Sequence, residues 1–278
     1  MIKLLAVDMD GTCLAGRGVM TDRTFEALSR AAAQGIMVVP TTGRNLFCLP
    51  HRLSQGVFSS KSHGGAAAPL FRYCISSNGG RVTDVLARKT LFQAMLSRAA
   101  ALEILERCRR IPLGLASHMN NRYLIQGQLF AWMGRMIYGQ DAKGISCVRN
   151  MYKVIEKSRY PVEELQLYFA APGAKAKVRQ ALEGFLQINA AYTGIYAEIF
   201  DKDASKGRAL AALADDLNIE SSEIACIGDG ENDLSMFKVS GLKIAMGNSV
   251  PDLKAQADHV TADNRRDGAA RAIYKYIL

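Results

Sequence analysis

Four short polar segments carry the side chains best suited to chemistry, and each directly follows an apolar run. The first is residues 8–12 (DMDGT), in which Asp8 and Asp10 stand two residues apart. Carboxylate oxygens suit a hard cation, and two carboxylates can divide nucleophilic attack and proton transfer between them. Gly11 permits the sharp turn that such a loop needs. Taken alone, the segment is equally compatible with a chance turn.

The second and third segments offer groups that can bind an anion. In residues 41–44 (TTGR), the hydroxyl of Thr42 and the turn amide of Gly43 could hold phosphate oxygens, although ordinary turn chemistry explains the same residues. Lys206 stands at the start of a predicted helix, where its ammonium could contact a phosphate or balance Asp8. A lone lysine in that position is usually solvated.

The fourth segment, residues 228–233 (GDGEND), is the most specific of the set. It contains Asp229, Glu231, Asn232 and Asp233 directly after an apolar run. Such a concentration of acidic groups is costly without a cation or a basic partner. Acidic side chains also suit a helix N-terminus, which accounts for one or two of these residues but not for the whole run.

The elements that must position these segments alternate between strand and helix. Apolar runs predict strands at 3–7, 36–39, 73–76, 223–227 and 242–245, and amphipathic patterns predict helices at 22–33, 205–217, 234–239, 250–257 and 268–277. Alternation of this kind predicts an α/β fold with a doubly wound parallel sheet. Ligands bind at the carboxyl ends of the strands in such sheets, so we expect the four segments to converge in space.

The middle of the chain does not follow this alternation of strand and helix, and its pattern predicts an inserted α+β domain. Helices are predicted at about 91–109 and 173–186, and strands at 123–126, 152–156, 165–170 and 192–199. We therefore expect a core formed by residues 1–81 and 198–278, with an insert at 82–197. The insert has 16 Lys and Arg against 8 Asp and Glu, so it carries +8 of the formal net charge of +9. This basic surface can attract anions, or it can simply be a solvated face.

Composition limits the remaining possibilities. No stretch reaches the roughly 18 consecutive apolar residues of a membrane span, and the first apolar run is too short for a secretory signal. The six cysteines are scattered without a CxxC pair, which favours reduced core thiols over a disulfide framework. We expect a cytoplasmic protein that does not contact the membrane.

Together the four segments resemble, in order and placement, motifs one to four of the haloacid dehalogenase-like superfamily of phosphohydrolases. Further segments resemble its Cof-type sugar-phosphatase branch, namely residues 77–80 (SNGG), 206–210 (KGRAL), 245–248 (AMGN) and 264–273 (NRRDGAARAI). The resemblance implies a haloacid dehalogenase-like core and an α/β cap of type IIB at residues 82–197, which would determine substrate specificity. Two small departures are Thr41, where alanine is common, and residues 59–69, which form a longer stretch than usual.

The resemblance also implies roles for the acidic residues. Asp8 would be the nucleophile that becomes an aspartyl phosphate, and Asp10 would protonate the leaving oxygen and then activate water. Mg²⁺ would be held by the Asp8 carboxylate, the backbone carbonyl of Asp10 and Asp229, with support from Asp233.

Other residues would bind the transferring phosphoryl group. The resemblance assigns this role to Thr42, Gly43 and Lys206, with a further hydrogen bond from Asn232. Lys206 and the metal ion would both favour the ionised form of Asp8.

The predicted function is hydrolysis of small phosphomonoesters, such as sugar phosphates or phosphorylated cofactor precursors, by a monomer or a small homo-oligomer. A phosphosugar mutase is the alternative among enzymes, because mutases of the superfamily keep both aspartates. A nucleic-acid-binding module that uses the basic insert is the alternative from another class. The insert shows no basic–aromatic alternation typical of a stacking platform, and nucleic acid is not the expected partner. Arg122, Arg135 and Arg149 are candidate substrate contacts, or simply surface arginines.

Overall fold

A computed structural model describes residues 1–54, 69–120, 122–129, 131, 132, 136 and 145–278. Arg135 and all but the last residue of the long stretch at 59–69 lie outside the described residues. The chain divides into two compact units. The first comprises Met1–Arg44, Leu49–Gln93 and Ser205–Leu278, and the second comprises Asn45–Cys48 and Ala94–Ala204.

The strands of the described residues are numbered in chain order. They are β1 (Leu4–Asp8), β2 (Leu14–Ala15), β3 (Val19–Met20), β4 (Met37–Thr41), β5 (Tyr73–Ser76), β6 (Arg81–Asp84), β7 (Lys89–Gln93), β8 (Leu113–Met119), β9 (Arg122–Gln126), β10 (Ile145–Val148), β11 (Glu164–Phe169), β12 (Ile188–Tyr192), β13 (Tyr196–Asp201), β14 (Ile224–Gly228), β15 (Leu242–Ala245) and β16 (His259–Val260). The α-helices that lie wholly within the described residues are Asp22–Ala33, His51–Ser54, Arg98–Arg107, Met151–Lys157, Ala174–Leu182, Lys206–Asp216, Leu234–Phe237, Pro251–Ala255 and Gly268–Tyr276.

The first unit is built on one sheet with the strand order β16-β15-β14-β1-β4-β5-β6-β7. Neighbours from β16 to β5 pair in parallel, whereas β6 and β7 add an antiparallel edge. The chain runs outward from β1 through β4 and β5, then returns to the other side of β1 at β14. This reversal between β1 and β14 is the switch point of a doubly wound sheet. The predicted α/β fold is therefore confirmed.

The strands nearest the switch point are apolar because both faces of the sheet are covered. Every residue of β1 and of β14 is buried, as expected for central parallel strands. The helix Asp22–Ala33 has the predicted bounds, and its N-cap Thr21 accepts a hydrogen bond from the Thr24 amide at 3.2 Å. No helix among the described residues is long and apolar enough to cross a membrane.

The second unit is an α+β fold with its own core. Its sheet has the order β10-β9-β8-β11-β13-β12 and is antiparallel except for the pairing of β9 with β10. Apolar side chains of the helices Arg98–Arg107, Met151–Lys157 and Ala174–Leu182 pack with those of the sheet.

Three predicted elements of the middle region were wrong. The single strand expected at 192–199 is interrupted, since β12 ends at Tyr192 and β13 begins at Tyr196. Residues 152–156 were expected to be a strand but lie in the helix Met151–Lys157, whose cap Asn150 accepts from the Lys153 amide at 2.9 Å. The buried pair in this segment, Met151 and Ile155, is spaced four residues apart as on a helix face. The helix expected at about 91–109 covers only Arg98–Arg107, because residues 89–93 form β7 and pair with β6.

The boundaries between the two units differ from the predicted boundaries of the insert, residues 82 and 197. Strands β6 and β7 stay in the sheet of the first unit, so the second unit resumes at Ala94. Strand β13 pairs with β11 and β12, which keeps the second unit continuous to Ala204. The assignment of these units as catalytic core and specificity cap stays a prediction.

Candidate active site

The loops that follow β1, β4 and β14 meet at the switch point of the first unit. Strand β1 pairs in parallel with both β14 and β4, and Asp8 at its end lies opposite Thr41. Asp229 follows β14 directly. Three of the four segments singled out by the sequence thus lie at one edge of one sheet.

The remaining segment, Lys206 at a helix start, reaches the same place. Ser205 caps the helix Lys206–Asp216 by accepting from the Arg208 amide at 3.1 Å. The side chain of Lys206 is only 1% exposed, and its Nζ donates to Asp8 Oδ1 at 2.6 Å and to Asp233 Oδ1 at 2.7 Å. Burial opposes the charged form, but these two carboxylates outweigh it and raise the pKa of Lys206 above its ordinary value. The ammonium is therefore a fixed charge of the site.

The carboxyls of Asp8 and Asp229 have pKa values raised above their ordinary range. Burial raises the pKa of Asp8 well above its usual range, against the ammonium of Lys206 and with the help of the Asp233 and Asp229 charges. Burial also raises the pKa of Asp229. Both shifts arise because ionised carboxylates are being held close together away from water.

A divalent cation fits this cluster. Asp8, Asp229 and Asp233 each offer a carboxylate oxygen, and the three oxygens lie within 4.8 Å of one another. Asp8 Oδ2 is buried, and no hydrogen-bond donor of the described residues reaches it. Three carboxylates against one ammonium leave two negative charges, which a divalent ion would neutralise. All of these ligands are hard oxygens, the type that Mg²⁺ prefers.

Asp233 also holds the loop after β14 in shape. Its Oδ2 accepts from the amides of Asp229 and Gly230 at 2.9 and 3.0 Å, while its other oxygen accepts from Lys206. One buried side chain thus connects the loop to the lysine. This dual contact explains how a carboxylate with 1% exposure is satisfied.

Two residues that the sequence analysis did not single out orient Asp229. Thr12 Oγ1 donates to Asp229 Oδ1 at 2.8 Å, and Asn248 Nδ2 lies 3.3 Å from Asp229 Oδ2. Gly11, at φ +88°, makes room for this carboxylate, since a Cβ there would lie 2.2 Å from Asp229 Oδ2. Their positions in the sequence could have indicated this role, because Thr12 and Asn248 each follow a predicted strand.

The side chain of Asp10 pairs with Arg44, whereas that of Asp8 pairs with Lys206. Arg44 donates to both oxygens of Asp10, from Nε to Oδ2 at 2.7 Å and from Nη2 to Oδ1 at 2.6 Å. The Asp10 carboxylate is therefore not part of the acidic cluster. Thr42 is fully buried beside this pair, and its hydroxyl accepts from the Arg44 amide at 3.0 Å.

Asn232 contacts the loop that follows β5. Its Nδ2 donates at 3.0 Å to Oδ1 of Asn78, a buried residue in the left-handed region with φ 54°. Gly43 approaches the same side chain closely, since a Cβ there would lie 3.1 Å from Asn78 Oδ1. Asn78 therefore connects two residues predicted to bind phosphate, a role that the sequence analysis did not foresee. Arg122 and Arg149 are exposed residues of the second unit.

The comparison with known proteins agrees with this arrangement. A family profile described as haloacid dehalogenase-like hydrolase matches residues 5–273. The chain belongs to the haloacid dehalogenase-like hydrolases. The resemblance predicted from the motifs is confirmed, as is the predicted enzyme class, a phosphatase of this superfamily.

Individual relatives of this hydrolase align over nearly its whole length. The 5-amino-6-(5-phospho-D-ribitylamino)uracil phosphatase YwtE of Bacillus subtilis is 28% identical, over 97% of this chain and 96% of the relative. A haloacid dehalogenase-like hydrolase from Bacteroides thetaiotaomicron superposes with a TM-score of 0.82 at 25% identity, over 99% of both chains. A subclass IIB sugar phosphatase shares the fold, with a TM-score of 0.79 at 20% identity over 99% of this chain and 98% of the other.

Proposed function

We propose that this hydrolase is a Mg²⁺-dependent phosphatase that cleaves small phosphomonoesters through a phosphorylated Asp8. The observation that carries the proposal is the buried cluster in which Lys206 contacts both Asp8 and Asp233 while Asp229 lies close by. A phosphoryl group spreads negative charge during transfer, so a fixed ammonium and a metal ion are the groups expected to stabilise it.

In the proposed first step, an Asp8 oxygen attacks phosphorus as the bond from phosphorus to the leaving oxygen breaks. Asp10, protonated on a lone pair that Arg44 does not use, gives this proton to that oxygen, and the alcohol departs. In the second step, Asp10 removes a proton from water, the water oxygen attacks phosphorus, and the Asp8–phosphorus bond breaks to release phosphate. Lys206 stays charged throughout, in keeping with its raised pKa.

Mg²⁺ would be held by Asp8 and Asp229, with Asp233 in support and the carbonyl of Asp10 as a further ligand. When bound, the ion neutralises charge on the phosphoryl oxygens and favours ionised Asp8. Burial, together with the Asp233 and Asp229 charges, raises the pKa of Asp8 despite the contact with Lys206. This supports the need for a further cation to keep Asp8 ionised.

Thr42, Gly43 and Asn232 are proposed to bind the phosphoryl oxygens. The Thr42 hydroxyl is placed at the end of β4 by its hydrogen bond to the Arg44 amide. Asn232 is exposed and still has donor and acceptor capacity beyond its bond to Asn78. Each of these groups can donate to an anion at the edge of the sheet.

The proposed substrates are small phosphorylated metabolites. YwtE, a relative over nearly the whole chain, is named for a phosphorylated ribityl compound. The excess of basic residues at 82–197 also suits an anionic substrate. The cytoplasmic location and the monomer or small homo-oligomer remain parts of this proposal.

The test is phosphate release from a panel of sugar phosphates and phosphorylated cofactor precursors, with Mg²⁺ and with EDTA. We expect release that requires Mg²⁺ and falls to background in Asp8→Asn, while the exposed variant Asp215→Asn behaves as wild type. Transfer of the phosphoryl group to product without free phosphate would instead establish a mutase. Undiminished release by Asp8→Asn would contradict the proposed nucleophile.

A further inference from the structure

We propose that Arg44 is a positioning residue that holds the Asp10 carboxyl in the orientation needed for proton transfer. The inference rests on the proposed function and extends it to a residue with no assigned role. It begins from the pairing of both Asp10 oxygens with one guanidinium, at 2.7 and 2.6 Å. Two parallel hydrogen bonds fix the plane of a carboxylate as well as its distance.

The two partners differ in how firmly they are held. The side chain of Asp10 is 54% exposed, whereas that of Arg44 is 11% exposed. The backbone of Arg44 is fixed on both sides, because its amide donates to the Thr42 hydroxyl at 3.0 Å and its carbonyl accepts from the Ser77 amide at 2.9 Å. Arg44 is thus the anchored partner, and Asp10 is the side chain that it orients.

The surrounding chain leaves space for the guanidinium. Gly18, between β2 and β3, has φ +70°, and a Cβ there would lie 3.3 Å from Nη2 of Arg44. Within the described part of the chain, Asp10 belongs to no strand and pairs with Leu14 through an isolated β-bridge. The local fold therefore places the arginine and leaves the Asp10 side chain dependent on it.

The strand register places this pair beside the phosphate-binding loop. Asp8 lies opposite Thr41 in the pairing of β1 with β4, so Asp10 and Arg44 follow the ends of adjacent strands. The loop after β4 would then supply both the Thr42 hydroxyl for the phosphoryl group and the guanidinium that aims the acid. A salt bridge whose carboxylate is 54% exposed contributes little to stability, so we assign this pair a geometric role.

The chemical consequence depends on the leaving group. An alkyl alcohol is a poor leaving group and needs the proton from Asp10, whereas para-nitrophenolate departs without one. Misplacing the acid should therefore slow cleavage of alkyl phosphates selectively. Because kcat/KM reports steps up to the first irreversible one, it isolates release of the alcohol from later hydrolysis.

The experiment compares kcat/KM for an alkyl phosphate from the substrate panel with that for para-nitrophenyl phosphate in Arg44→Lys. Lysine keeps the charge but cannot donate two parallel hydrogen bonds. We expect a loss of about 100-fold on the alkyl ester, the size typical of general acid catalysis or of a misplaced group. The loss on para-nitrophenyl phosphate should be small. Arg72→Lys, which alters another arginine–aspartate pair in the same unit, should leave both values unchanged.

Asp10→Asn and the double variant Asp10→Asn/Arg44→Lys complete the test. If Arg44 acts through Asp10, the double variant should be no slower on the alkyl ester than Asp10→Asn alone. Equal losses of Arg44→Lys on both esters, or additive losses in the double variant, would overturn the inference. Failure of the proposed function would look different, because Asp8→Asn would then retain phosphate release.

Discussion

Lys206 and Asp8 are 198 residues apart in sequence, yet Nζ of the lysine lies 2.6 Å from Oδ1 of the aspartate in the buried interior. The contact joins the first strand of the sheet to the helix that begins the last part of the chain. Asp233 shares the same ammonium at 2.7 Å. The folding of the first unit and the assembly of the site therefore depend on the same ion pairs.

Replacement of Lys206 by methionine should abolish activity and destabilise the protein. The change removes the cation between two buried carboxylates, and breaking a buried pair in this way costs about 3–5 kcal/mol. Urea denaturation followed by circular dichroism measures the loss. Lys243→Met, which alters a partly exposed pair with Asp258, is the control and should cost far less. An unfolding free energy equal to that of wild type would contradict the account.

Mg²⁺ should stabilise the folded protein in the absence of substrate. An ion that binds only the native state adds about 2.7 kcal/mol at a concentration 100 times its Kd. We expect Tm to rise with MgCl₂ and to stay unchanged with KCl at equal ionic strength. In Asp229→Asn the rise should be much smaller, because a ligand is lost. A similar rise in that variant would place the ion elsewhere.

Gly207 allows the start of its helix to lie against the turn at Ser235. A Cβ at Gly207 would lie 2.0 Å from the carbonyl oxygen of Ser235, so Gly207→Ala must displace backbone. We expect a loss of about 1–3 kcal/mol together with lower activity, since Lys206 is the adjacent residue. Gly194→Ala has nothing within 4 Å of the new Cβ, and its stability should be that of wild type. Normal activity in Gly207→Ala would show that the position of Lys206 tolerates this shift.

The second unit should lose stability in mild acid because of His118. Burial lowers the pKa of His118 to about 4 from its ordinary value of 6.5. Between these values the unfolded chain binds the proton and the folded chain does not, so stability falls as pH drops through this window and levels off below it. The full effect is about 3 kcal/mol.

The measurement for His118 is the urea midpoint in EDTA at several pH values across that window. In His118→Asn this part of the pH dependence should disappear, whereas in His259→Asn it should remain. Identical pH dependence in wild type and His118→Asn would contradict the assignment.

Much of the fold and the convergence of the site could be predicted because the relevant signals are local. Apolar runs that end in polar residues mark β1, β4 and β14, and sheet topology then brings Asp8, Thr42 and Asp229 to one edge. Lys206 was recognised from its place at a helix start, but its burial depends on two acids far away in sequence.

Other contacts could not be predicted because they depend on the directions of side chains from irregular loops. The pairing of Arg44 with Asp10 and the bridging position of Asn78 are of this kind. The strand predicted at residues 152–156 was wrong for a different reason. Their β-branched and aromatic members suggested a strand, but the Asn150 cap and the packing of Met151 and Ile155 selected a helix.

The central claim is that the phosphoryl group passes through Asp8, and trapping the intermediate tests it most directly. In Asp10→Asn, labelled para-nitrophenyl phosphate should phosphorylate the enzyme without needing an acid, and hydrolysis should then be slow. The account predicts a burst of one para-nitrophenol per enzyme and an acid-stable, hydroxylamine-sensitive label on the peptide that contains Asp8. Label on a different residue, or steady turnover without a burst or label, would contradict it.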